Sequence, residues 1–242
     1  MWELKKKLII ASLCVIVFII GGIYLFNNQK STYIMTVGNL KIAKEEVEMI
    51  TNDMKSKTQN NLMNTYNINS KDFKWSKRYG DKKAIDYLLD DVVNEIKYVK
   101  TIQYIAKDLK IIDDFDYDLF LDMLNEENEQ RENKVKNNEV VYGLESYTEQ
   151  QYYDYYNNNL YLDIQAKLID NKTVKVTEKD IQETYKENKD YFNNESFDLV
   201  KEYVENLCYE KEVEEYVKGK EAMLDFQNDK EILKKIVQEN LE

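Results

Sequence analysis

The chain has 242 residues, with 34 Lys and Arg against 46 Asp and Glu, a formal charge of -12; so acidic a body argues against nucleic acid as a partner, which needs a basic face to displace counterions from phosphates. It has no His and two Cys, which removes Ser-His-Asp and Cys-His catalysis, His general bases and the usual His- or four-thiolate zinc sites. With no Pro and six Gly, long helices are favoured over an all-β or loop-rich fold, and no catalytic, cofactor or metal site is expected.

Residues 8–26 form a run of 19 without a charge, close to the ~20 that cross a bilayer core as a helix. Thirteen of them are Leu, Ile, Val or Phe, which favours insertion by at most about 4–8 kcal/mol. Lys5, Lys6 and Lys7 precede the run and only Lys30 follows closely, so the N-terminus is expected in the cytoplasm. The predicted plan is a cytoplasmic tail at 1–7, a transmembrane anchor at 8–26 with the lipid bilayer as its partner, a polar linker at 27–32 and an extracytoplasmic domain at 33–242. A cleaved signal peptide is the alternative, although the run exceeds the usual ~7–15 residues and no Ala-x-Ala site follows. Cys14 reads as a buried membrane residue. Because Glu3 faces three lysines in residues 1–26, residues 27–242 carry -14.

In chain order, residues 33–37 and 40–42 read as two short strands about Gly38-Asn39, a dipeptide suited to a tight hairpin. A helix is predicted from Lys44, with Val47, Ile50 and Met54 near helical spacing, ending in a polar loop over 64–74. From Asp81 to Lys110 the stripe Ile85, Leu88, Val92, Ile96, Val99, Ile102 and Ala106 predicts the spine of the core. Asp113, Asp114, Asp116 and Asp118 suggest calcium, but an EF-hand loop counted from Asp114 needs Gly where Leu119 stands and Glu where Asn125 stands. Acids stabilised at the N-terminus of a helix over 115–131 are the simpler reading.

Residues 140–143 read as a brief extended piece and turn. Thr148 with Gln151 forms a capping box opening the next helix. Its Tyr152, Tyr153 and Tyr156 are candidate peptide-binding residues, since Tyr offers large amphipathic area; the competing reading is that this stripe packs against the 81–110 helix. Thr177 with Asp180 opens a short helix ending near Tyr191. After a four-residue join at 193–196, a long helix runs from Phe197 towards Phe226, with Cys208 on its apolar stripe as a packed thiol. Asp229 caps a last helix carrying Leu233, Ile236 and Val237.

Val37-Gly38-Asn39-Leu40-Lys41-Ile42 followed by Lys44-Glu45-Glu46-Val47, the long helix through Ile105-Ala106-Lys107-Asp108-Leu109-Lys110-Ile111, and Val174-Lys175-Val176-Thr177-Glu178-Lys179-Asp180-Ile181 with Tyr185 to Phe192 together resemble the SurA/PrsA-type extracytoplasmic chaperones. The resemblance spans about 33–224 as a pattern of helices more than as identities. It implies a mainly α fold: the N-terminal transmembrane helix, then a multi-helix SurA/trigger-factor-like chaperone domain with a short β-hairpin, its helix from about 197 packing back on the rest. In that family a parvulin prolyl-isomerase domain commonly sits where this chain has only the 193–196 join, and parvulin sites use His. The resemblance therefore implies a bacterial, membrane-anchored chaperone module that holds unfolded or exported polypeptides without ATP and is not an enzyme. An adaptor using the same fold for one dedicated partner is the alternative.

Overall fold

A computed structural model describes residues 31–241. The predicted anchor at 8–26 and Cys14 lie outside these residues, and no helix among those described is long and apolar enough to cross a membrane. The described residues are mainly helical, with seven helices and a small antiparallel sheet, and everything from Tyr33 onward belongs to one compact unit.

Strands β1 (Tyr33–Val37) and β2 (Leu40–Ala43) pair antiparallel about Gly38. Gly38 has φ +55, and a side chain there would meet Leu224 Cδ2 at 3.1 Å. Its amide donates to Asp225 O at 2.7 Å, so the turn needs glycine both for its backbone and for its neighbour. Helix α1 (Lys44–Thr65) follows directly. A second small hairpin, β3 (Arg78–Tyr79) with β4 (Lys82–Lys83), turns at Gly80 with φ +65. It displaces the start of the spine helix, expected at Asp81, to Ala84.

Helix α2 (Ala84–Asp108) buries Ala84, Leu88, Val92, Ile96, Val99, Ile105 and Ala106 along one stripe and touches α1 and three later helices. Each large aliphatic side chain so buried stabilises the fold by about 1.5–3 kcal/mol. Helix α3 (Tyr117–Lys136) is capped by Asp116, whose carboxylate accepts the Leu119 amide at 2.8 Å. Asp114 pairs with Lys107 at 2.7 Å and accepts the Phe115 amide, so two of the acids that suggested calcium cap and pair instead. Residues 140–143, expected to be extended, form no strand, and Gly143 takes φ +82.

Helix α4 (Glu149–Asp170) opens with the Thr148–Gln151 capping box, and α5 (Glu178–Glu187) with the Thr177–Asp180 box. Helix α5 is shorter than predicted, closing at Glu187 before a run of turns in which Asn193 and Asn194 have positive φ. Helix α6 (Phe197–Met223) runs back along α2 and α4. The chain then leaves the helix for strand β5 (Phe226–Gln227), which pairs antiparallel with Val37 and Thr36 to give the sheet order β2-β1-β5. Helix α7 (Lys230–Glu239), capped by Asp229, lays Leu233, Ile236 and Val237 against α1 and α2.

With little glycine available, α2, α3 and α4 stop on other residues. Lys110, Asn138 and Lys172 take positive φ, and the next amide returns to the carbonyl five residues back: Ile111 to Ala106, Glu139 to Lys134, Thr173 to Leu168. These are Schellman-type ends without the usual glycine.

Candidate functional site

Helix α4 carries the tyrosines singled out from sequence, and packing explains where each ring goes. Tyr153 is buried and meets Phe120 edge-on at 5.2 Å between ring centres. Tyr152 is buried, stacked on Phe120 at 5.8 Å and tilted against Tyr147 at 5.7 Å. Tyr156 is half-buried on Phe115 at 5.6 Å, and burial pushes its phenol up to about 12. The three rings come together against α3 and its lead-in, as parts of the core. Cys208 is likewise packed, its thiol donating to Thr184 Oγ1 at 3.2 Å.

Tyr153 also reaches a group that sequence reasoning missed. Its hydroxyl donates to Glu46 Oε1 at 2.5 Å, and Lys100 Nζ lies 2.7 Å from the same oxygen. Glu46 and Lys100 are at most 1% exposed, and the Lys100 ammonium sits 4.9 Å from the centre of the Phe115 ring. Among the described residues Glu46 Oε2 and Gln103 Oε1 have no hydrogen-bond partner, and the Lys100–Glu46 contact is an ion pair without a well-directed hydrogen bond. Desolvation and the Glu46 carboxylate hold the Tyr153 phenol well above its ordinary range. This cluster ties α1, α2 and α4 together but is sealed from solvent. The sequence signal was a charge on each apolar stripe: Lys100 follows Ile96 by four, and Glu46 precedes Ile50 by four.

The accessible feature is a cleft of about 540 Å³ between α4, α5 and α6. Its apolar lining is Tyr161, Leu162 and Leu207, and Leu162 is 59% exposed. Glu187, Glu210 and Glu214 stand around it with a single lysine, Lys211. A second cavity of about 300 Å³ lies on the other side of Tyr161, which lines both; it contains Glu95, Tyr98 and Asp154, with Lys57 alongside. Burial first raises the phenols of Tyr98 and Tyr161; Tyr161 and then Glu95 add to it at Tyr98, and Glu214 acts on both. Burial also raises the Glu95 carboxyl; Lys57 opposes this, while Asp53 and Asp154 add to it. Lys57 is itself paired with Asp53 at 2.7 Å.

Beside the cleft, α5 and the first half of α6 form an arm with a small core of Ile181, Phe192, Val204 and Cys208. On its surface Tyr191 and Tyr203 stack at 6.4 Å with hydroxyls 3.0 Å apart, and Leu199 is 75% exposed. Cleft and arm escape sequence reading because their residues come from separate helices, with only the alternation of Tyr and Leu with Glu along α6 as a hint. No protein family, no curated protein and no solved structure matches this chain.

Proposed function

We propose that the chain is a membrane-anchored, extracytoplasmic chaperone-like protein. Residues 8–26 anchor it in the cell membrane, and the helical domain at 33–242, of the SurA/trigger-factor type, holds unfolded or exported polypeptide without ATP. It is not an enzyme and does not isomerise prolyl bonds. The observation that carries the reading is the open cleft between α4, α5 and α6, flanked by the exposed Tyr191, Leu199 and Tyr203 of the arm. A groove with apolar lining and a polar rim suits transient contact with irregular apolar segments. The join at 193–196, where the resembled family carries its isomerase, is a short turn held by Asn194 N donating to Lys189 O at 3.0 Å.

The test is suppression of aggregation, with the full chain in lipid nanodiscs and several unrelated proteins diluted from denaturant. The expected result is slower aggregation of all of them in proportion to the chain added, with no acceleration of proline-limited refolding. If none is held, while a single co-purified partner binds stoichiometrically, the chain is a dedicated adaptor and the holding role is wrong.

A further inference from the structure

We infer that the cleft selects polypeptide segments in which Lys or Arg alternates with aromatic or aliphatic residues; this rests on the holding role proposed above. Tyr161 of α4 lines both the cleft and the smaller cavity, and together the two are lined by five carboxylates against two lysines. One of those lysines, Lys57, already has Asp53 as partner. Glu214 is partly engaged by Lys218 at 3.2 Å, whereas Glu187 and Glu210 are exposed and make no ion pair among the described residues.

The geometry makes this charge selective rather than merely solubilising. Tyr161, Leu162 and Leu207 give the cleft an apolar lining of low polarisability, which focuses the field of the carboxylates at its rim. The Tyr98 and Tyr161 phenols are raised chiefly by burial, and Glu214 adds to the rise at both. A segment laid in the cleft buries its apolar side chains on the lining, and its cationic heads meet Glu187, Glu210 and Glu214. An acidic segment of the same apolar content meets like charge at the rim, which is disfavoured.

The experiment measures fluorescence anisotropy of short labelled peptides against the full chain in neutral-lipid nanodiscs. One peptide alternates Lys with Leu and Phe; its matched partner has Glu at each Lys position. The expected result is binding of the Lys peptide at least roughly tenfold tighter, a gap that narrows as ionic strength rises from about 0.05 M to about 0.5 M. The variant Glu187→Gln/Glu210→Gln/Glu214→Gln should remove most of the gap. Glu45→Gln/Glu48→Gln, in a separate acidic groove between α1 and the start of α4, should preserve it. Leu162→Ser should weaken both peptides several-fold while keeping their order. Equal binding of the two peptides overturns the inference, as does a gap that responds equally to the two sets of glutamine substitutions, since the cause is then net charge alone. If neutral and acidic unfolded proteins are held as well as basic ones, the holding role stands and the selectivity falls; if no unfolded protein is held, both fall.

Discussion

The body and the arm of this domain solve stability differently. In the body, α2 lies among four helices, the sheet closes on both edges of β1, and a carboxylate, an ammonium and a phenol are sealed inside at Glu46, Lys100 and Tyr153. In the arm, α5 and the first half of α6 share only Ile181, Phe192, Val204 and Cys208 as a fully buried core, while Tyr191, Leu199 and Tyr203 face solvent. A groove that accepts varied segments needs one wall that can yield, and elements with few buried contacts open at the lowest free energy. The division teaches that rigidity is concentrated where α1, α2 and α4 meet, and adaptability where α5 meets α6.

The largest test removes what ties the two regions together. Ending the chain after Phe192 deletes Val213 and Val217 from the core they share with Ile102, Ala106, Leu160 and Ile164. It also deletes β5 and α7. Circular dichroism of that fragment should show no cooperative melting; a transition at the original temperature would mean that the returning helix is dispensable.

Next in size is the sealed ion pair. Lys100→Met strands Glu46 and should cost about 3–5 kcal/mol in urea unfolding. Glu46→Gln/Lys100→Met removes both charges and should recover at least half of that loss. A double variant no better than the single one would show that packing, not charge, sets the cost.

Phe192→Ala should act on the arm alone. Removing a buried Phe ordinarily costs about 3–5 kcal/mol, but here the expected result is local. In a Cys14→Ser background, Cys208 should react with a thiol reagent at least tenfold faster, and amide exchange in α5 should quicken. The global unfolding midpoint should move much less than with Lys100→Met. If it falls as far, arm and body are one cooperative unit and the contrast drawn between them fails.

The smallest effect concerns Glu95, whose carboxyl is raised chiefly by burial. A carboxyl raised in the folded state favours folding in its protonated form. Stability therefore declines as pH rises from the ordinary carboxylate range through the raised value, and is flat above it. Glu95→Gln should stabilise near neutral pH by about 0.5 kcal/mol or less, and the gain should vanish in acid, where both side chains are neutral. A gain that persists at low pH would point to packing instead.

How much of this was legible in the sequence follows from the range of each interaction. Thr148, Thr177 and Asp229 announce their helices because a cap bonds to amides only two or three residues away. The stripe of α2 was equally plain, since its period needs no knowledge of partners. Strand β5 was not legible: two residues make no pattern, and their partners Thr36 and Val37 stand at the far end of the domain. The same limit hid the meeting of Glu46 with Lys100. Tyr152, Tyr153 and Tyr156 mark the intermediate case. Their spacing identifies a face of α4, but only the position of Phe115 and Phe120 tells that this face turns inward. The cleft lies at the opposite extreme, assembled from three helices with no local signature.

The pairing of Val37 with Phe226 carries a consequence for the order of biogenesis. A chain that emerges N-terminus first presents β1 early, already zipped to β2 through Gly38, yet its other edge waits for nearly the whole domain to follow. During that interval the free edge of β1 is a row of unsatisfied amides and carbonyls, open to any neighbouring strand. Synthesis must therefore run almost to completion before the sheet is shielded. A protein proposed to hold unfolded polypeptide passes through the same exposure itself.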